Sequence, residues 1–329
     1  MKLITLEEHY ADIRIMEINR KYSDRNVPLK TPHVTGIFED LTNFEKRIKY
    51  MDENHIDIQV LSMTSPIGDN VLPKEAIEAC KLANNITKEH INQYPGRFLG
   101  FATLPMCDPV SASLELERCV KELGFCGALL AGRYKGRLLN EKEFLPIFAK
   151  AEELNVPLYI HPAFIPSEVK KAYYDSDAYS EDVAFELSSV GYGWHSEVGI
   201  QVLRLILSGI FDKFPKLKII IGHWGETIPC FLDRLDFMLD KNITKLKKNI
   251  SEYFKENVYI TPSGIISKDQ LEYVVKLMGA DHVIYSIDYP YVNPKNPYEF
   301  LMDSSLSDEE KELIAYKNAE RVLNINKDI

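Results

Sequence analysis

Lys2-Leu3-Ile4-Thr5-Leu6-Glu7-Glu8-His9-Tyr10 opens the chain as an apolar, partly β-branched run that ends in two carboxylates and an imidazole. Alternate side chains of a β-strand point the same way. Leu3, Thr5, Glu7 and His9 are therefore expected on one face. A carboxylate and an imidazole side by side at a strand end are ligands for a divalent cation. An ordinary edge strand with a solvated, charged end contains the same residues, so the rest of the chain must decide between the two.

Downstream, apolar β-branched runs alternate with helical stretches. Strands are expected near 56–62, 98–105, 126–130, 156–162, 215–223, 257–261 and 282–288. Helices are expected through 43–51, 75–94, 108–123, 140–154, 197–212, 232–239 and 268–278, with two more closing the chain. Asp108-Pro109, Asn140 and Ser307-Asp308-Glu309-Glu310 supply start signals for three of them. Residues 11–38, polar and carrying Pro28 and Pro32, read as a loop with one short helix. Residues 163–194 read as the longest irregular region, and a loop of that length in a compact domain is a lid or a subunit contact. About eight βα units in 329 residues imply an α/β protein with a parallel sheet closed into a (β/α)8 TIM barrel, a single domain over 1–329. No Gly-x-Gly-x-x-Gly follows the first strand, which argues against a dinucleotide-binding fold.

Composition narrows the function classes. The formal net charge of −10 argues against nucleic acid as a partner. No apolar run reaches the length of a membrane span. The chain enters a strand without a charged-then-apolar leader, so no secretory signal is expected. The five cysteines, Cys80, Cys107, Cys119, Cys126 and Cys230, are odd in number and irregularly spaced. They read as reduced packing thiols of a cytoplasmic protein.

The titratable residues then fall into a pattern. Glu7 and His9 end the first strand, His161 the fifth, His223 the sixth and Asp288 the eighth. All five lie at C-terminal strand ends, the face where barrel enzymes build their sites. Taken singly, a strand-end histidine is more often a hydrogen-bonded structural residue, and Asp288 before Tyr289-Pro290 is a turn opener. Five on one rim argue together for a metal centre.

These residues belong to ordered stretches that resemble the amidohydrolase-related metal-dependent decarboxylases, the group of γ-resorcylate and 2,3-dihydroxybenzoate decarboxylases. The stretches are Leu6-Glu7-Glu8-His9, Met51-Asp52 to Gln59-Val60-Leu61-Ser62, Tyr94-Pro95-Gly96-Arg97-Phe98, Gly124-Phe125-Cys126-Gly127-Ala128, Val156 to Pro162, Leu203 to Gly209, Gly222-His223-Trp224-Gly225-Glu226 and Asp288-Tyr289-Pro290. The resemblance implies one divalent ion per chain, zinc or manganese, held by Glu7, His9, His161 and Asp288, with no organic cofactor. The family's two-metal members carry a lysine at the end of the fourth strand, where this chain has Leu129-Leu130-Ala131-Gly132. The resemblance places His223 and Glu226 against the substrate, at the start of a helix, and Asp288 as the acid that protonates it. It makes Arg234 an active-site arginine and Tyr291 an aromatic that reaches a neighbouring subunit's site. Ala163-Phe164 stands where a more polar pair is expected.

The implied reaction is non-oxidative decarboxylation of a small hydroxylated aromatic or related unsaturated carboxylic acid, by a homodimer or homotetramer with no membrane partner. The same rim would serve a hydrolase of a lactone or amide, or a hydratase, if the metal activated water. A third reading, a binding protein on a degenerate barrel, conflicts with an intact ligand set.

Overall fold

The computed structural model describes residues 1–22, 36–64 and 67–325. Strands β1 (Ile4–Tyr10), β2 (Ile58–Met63) and β3 (Phe98–Gly100) pair in parallel, as do β4 (Ala128–Ala131), β5 (Leu158–His161), β6 (Ile219–Ile221) and β7 (Val258–Ile260). Parallel bridges from Ala102 to Ala128, Ile260 to Val283 and Leu6 to Ser286 join the two sets. The extended segment 283–288 takes the eighth place. Ile284 N–H donates to Ile260 O at 2.9 Å on one side, and Leu6 N–H to Tyr285 O at 3.1 Å on the other. The (β/α)8 barrel closes as the sequence implied, with strands shorter than expected.

The strands are apolar on both faces because both are covered, as parallel sheets require. Ile4, Leu6, Ile58, Val60, Phe101, Tyr159, Ile220, Tyr259 and Ile284 fill the barrel interior. Ala319, Val322, Leu323 and Ile325 of the C-terminal segment join the same cluster and stopper its N-terminal end. Leu3, Leu61, Leu158, Ile160, Ile219 and Ile221 face outward against the helices. A groove of about 940 Å³ at the stoppered end, lined by Met51, Asp52, His55 and Arg97, contains none of the candidate site residues.

Local signals explain most helix starts. Asp108 accepts from Val110 N–H and Ser111 N–H, with Pro109 in the first turn. Ser307 and Glu310 form the reciprocal capping box. Asn140 does not cap its helix. Its Oδ1 accepts from Arg204 Nε at 2.9 Å, and the helical run begins later, as a 3₁₀ turn at Lys142–Phe144 leading into Leu145–Glu153. Segment 163–194 is not irregular throughout, because it holds helices Ser167–Tyr173 and Glu181–Ser188. Helix Gly193–Leu207 also starts inside it. Of the expected loop 11–38, helix Ile13–Tyr22 and the start of helix Ile37–Thr42 are seen, and 23–35, with Pro28 and Pro32, lie outside the described residues.

Candidate active site

Strict alternation along β1 would point Glu7 and His9 away from the barrel interior, because Ile4 and Leu6 point into it. The pairing with β2 shifts between Thr5 and Glu8, and Glu7 takes φ 61°. This bulge inverts the alternation. Glu7 and His9 turn into the barrel mouth, whereas Leu3 faces the outer helices. The expected common face of Leu3, Thr5, Glu7 and His9 is therefore not formed. A left-handed non-glycine residue costs about 1–3 kcal/mol and persists only where its surroundings hold it. Here the fully buried Glu7 carboxylate is held at Oε2 by the Tyr159 hydroxyl. Tyr159 in turn bonds Thr261 Oγ1 at 2.8 Å and Ser263 Oγ at 2.9 Å. Gly222 is needed beside it, since a Cβ there would lie 3.1 Å from Glu7 Oε2 and 2.8 Å from Ser263 Oγ.

The other oxygen, Glu7 Oε1, is buried without a hydrogen-bond partner and stands 3.3 Å from His161 Nε2. His161 Nδ1 donates to Pro162 O at 2.8 Å, which leaves the Nε2 lone pair directed at Glu7. His9 Nε2 is also buried and unpartnered, 3.3 Å from Asp288 Oδ1, while its Nδ1 meets Ser62 Oγ at 3.2 Å. The His9 and His161 rings stand edge to face, 4.9 Å between centroids. Burial first, and the charge of Asp288 next, push the Glu7 carboxyl well above the usual carboxylate range against the Tyr159 hydrogen bond. Burial, helped by His9 and His223, holds His161 well below the ordinary imidazole value. Two carboxyl groups facing two imidazoles, with orphaned atoms converging, fit a divalent cation in donor type. The ligand atoms of Glu7, His9 and His161 lie within 4.8 Å of one another.

A second cluster sits beside the first. His223 Nδ1 is 2.7 Å from Glu226 Oε1, and His195 Nδ1 is 2.9 Å from Glu226 Oε2. The expected helix start at His223–Glu226 is instead a left-handed turn, with φ of 50°, 58°, 84°, 52° and 66° from His223 to Thr227. Glu226 is thus fully buried by backbone geometry and is not a first-turn residue stabilised by a helix dipole. His195 is a site residue the sequence reading missed. Its signal is position, since it stands in the first turn of Gly193–Leu207, the third helix between β5 and β6, on the side where barrel sites form. Burial opposes its charge, but the hydrogen bond and charge of Glu226 outweigh that and raise His195 above 6.5.

Tyr291 lies edge-on to His9 of its own chain at 5.4 Å, its hydroxyl bonded to Thr64. Arg234 is exposed on helix Leu232–Met238, and no hydrogen bond or ion pair among the described residues joins it to the site. A cavity of about 260 Å³ flanks the ends of β4 and β5, lined by Leu130, Ala131, Arg133, Tyr134, Ala163 and Phe164 among others.

A family model described as Amidohydrolase matches residues 39–325. The γ-resorcylate decarboxylase of Polaromonas sp. is 33% identical, covering 98% of this chain and 99% of its own length. A solved protein from Staphylococcus aureus is 41% identical with a TM-score of 0.89, over 99% of this chain and 100% of the other. A solved dihydroxybenzoic acid decarboxylase from Polaromonas, with bound manganese and the inhibitor 2-nitroresorcinol, is 30% identical with a TM-score of 0.84, over 99% and 98%. The chain belongs to the amidohydrolase family.

Proposed function

We propose that the chain is a metal-dependent, non-oxidative decarboxylase of a small hydroxylated aromatic or related unsaturated carboxylic acid. The observation that carries this is the pair of buried, unpartnered atoms Glu7 Oε1 and His9 Nε2 converging with His161 and Asp288 at the barrel mouth. Glu7, His9, His161 and Asp288 would hold one divalent ion, manganese or zinc. When bound, that ion would supply positive charge for a substrate carboxylate, an adjacent hydroxyl and developing oxyanion charge.

The protein's own groups do the rest. His223 presents Nδ1–H to Glu226, so its Nε2 is left as an acceptor for a ring hydroxyl. Drawing on that hydroxyl's proton pushes electron density to the ring carbon that bears the carboxyl. Asp288, only partly buried, delivers a proton to that carbon. The carbon–carboxyl bond then breaks, carbon dioxide leaves, and the bonding pair restores the aromatic ring.

Several further features accompany this reading. Free Cys80, Cys107, Cys119, Cys126 and Cys230 suit a reducing, cytoplasmic setting. Among the described residues no helix is long and apolar enough to cross a membrane. Arg234 stands among exposed Phe231, Phe237, Met238 and Ile243, an apolar patch of the kind that subunit contacts bury, which supports a homodimer or homotetramer with Arg234 at the contact.

The test is metal analysis of the purified protein together with carbon dioxide release from 2,6-dihydroxybenzoate. About one divalent ion per chain and release that stops on chelation are expected. Full activity of metal-free protein would overturn the reading. Water consumption without carbon dioxide across a panel of lactones, amides and enols would replace it with a hydrolase or hydratase.

A further inference from the structure

We propose that Glu8, the neighbour of the two β1 ligands, is a positioning residue that clamps Asp288 and, through Gln59 and Arg47, His9. The proposal rests on the ligand roles given above and adds the device that sets their geometry. The bulge that turns Glu7 into the mouth sends the Glu8 carboxylate sideways, across the seam where the barrel closes. There Oε1 accepts from Ile287 N–H at 3.1 Å, and Oε2 accepts from Tyr289 N–H at 3.2 Å. These are the amides of the two residues on either side of Asp288, whose φ is 69°. One carboxylate thus grips both flanks of a left-handed residue.

The grip continues into the barrel wall. Gln59 Nε2 donates to Glu8 Oε2 at 3.2 Å, and Arg47 Nη1 donates to Gln59 Oε1 at 3.0 Å. Arg47 Nη2 donates to the carbonyl of His9, and His9 N–H donates to Tyr289 O at 2.7 Å. The loop of bonds starts at one ligand and ends at the other. Glu8, Gln59 and Arg47 are all fully buried, and the Arg47 guanidinium lies 4.7 Å over the Tyr289 ring. In this buried polar network Arg47 Nε lacks a partner, but both Glu8 oxygens, the Gln59 amide and both terminal Arg47 nitrogens are bonded, and rigidity in the groups behind a ligand sets its direction. Glutamine at position 8 keeps the shape, but its amide nitrogen cannot accept from a peptide N–H.

Two readouts test this. The first is amide hydrogen exchange on metal-free protein. In the wild type, the Ile287 and Tyr289 amides are expected to exchange as slowly as the Ile284 amide, which is bonded within the barrel to Ile260 O. Fast exchange there overturns the clamp without any variant. In Glu8→Gln, exchange at one or both of Ile287 and Tyr289 is expected to rise tenfold or more, with Ile284 unchanged. The second readout is calorimetric titration with Mn²⁺. Glu8→Gln is expected to weaken binding about 10–100-fold, the usual cost of losing a group that orients ligands. A folded Glu8→Gln that binds Mn²⁺ like the wild type overturns the positioning role, whatever its exchange rates. Should Glu8→Gln not fold, the exchanged pair Glu8→Gln/Gln59→Glu keeps a buried carboxylate beside Arg47 but leaves Tyr289 N–H without its acceptor. Its fold is expected to return and its Mn²⁺ affinity to stay low, and wild-type affinity in that pair overturns the proposal. Absence of Mn²⁺ binding by the wild type would instead defeat the metal-centre reading, which the exchange measurement does not depend on.

Discussion

His195 Nδ1 lies 2.9 Å from Glu226 Oε2, and its Nε2 lies 3.0 Å from the Val190 carbonyl. Carboxylates and carbonyls only accept, so with both bonds made His195 carries protons on both nitrogens. It is then an imidazolium that offsets the buried Glu226 charge and leaves Glu226 Oε1 to orient His223. His195→Gln is expected to lower kcat about tenfold, with KM changing less. Imidazolium is lost as pH rises through a value above 6.5, so the wild-type alkaline limb of kcat is expected to carry this group and the variant's to lack it. A kcat–pH profile identical in the two proteins contradicts the role.

Asp288→Asn removes both an ionisable proton donor and an anionic ligand. Carbon dioxide release is expected to fall by about 10²–10⁴, and Mn²⁺ content after dialysis to fall with it. Wild-type turnover in this variant would move the acid elsewhere.

Metal binding is linked to stability because the unfolded chain has no preformed site. Saturating Mn²⁺ at about 100 times its Kd is expected to add about 2.7 kcal/mol, seen as a higher Tm than that of chelator-treated protein. His161→Ala removes a ligand and is expected to abolish that difference. A Tm insensitive to Mn²⁺ in the wild type would argue against the site.

Gly225 sits in the left-handed turn at φ 84°, and a Cβ would lie 2.7 Å from Pro229 Cγ and 3.0 Å from Ile260 Cδ1. Both the conformation and the space demand glycine. Gly225→Ala is expected to cost about 1–3 kcal/mol in denaturant unfolding and to reduce activity by displacing His223 and Glu226. A variant as stable and active as the wild type would show that the turn is not held as described.

His90 tests the electrostatics away from the site. Its ring stacks on Phe44 at 3.6 Å, and burial is the main cause that lowers its pKa from 6.5 to about 4. Asp12 and Glu89 oppose that shift, while Arg14 and Arg47 add to it. The unfolded chain therefore takes up this proton first as pH falls. The stability due to the neutral ring is full above about pH 6.5 and is lost as pH falls toward 4. His90→Phe is expected to flatten the decline of Tm between those values, and an unchanged slope would assign the acid sensitivity to other groups.

The barrel and the ligand types were legible from sequence because they depend on local pattern. Short β-branched runs such as Ile219-Ile220-Ile221, bounded by Pro215 and Gly222, read as buried strands, and strand ends collect on one rim once eight βα units close. Glu7, His9, His161, His223 and Asp288 were therefore identifiable by position. The direction of each side chain was not. A one-residue bulge at Glu7, five left-handed residues from His223 to Thr227, and the pairing of His195 with Glu226 are set by the barrel around them. Those conformations cost energy locally and are offset only by bonds from distant segments, such as Tyr159 to Glu7 and Glu8 to the amides of Ile287 and Tyr289. Local pattern reports what a segment prefers, whereas the site is built from what its neighbours compel.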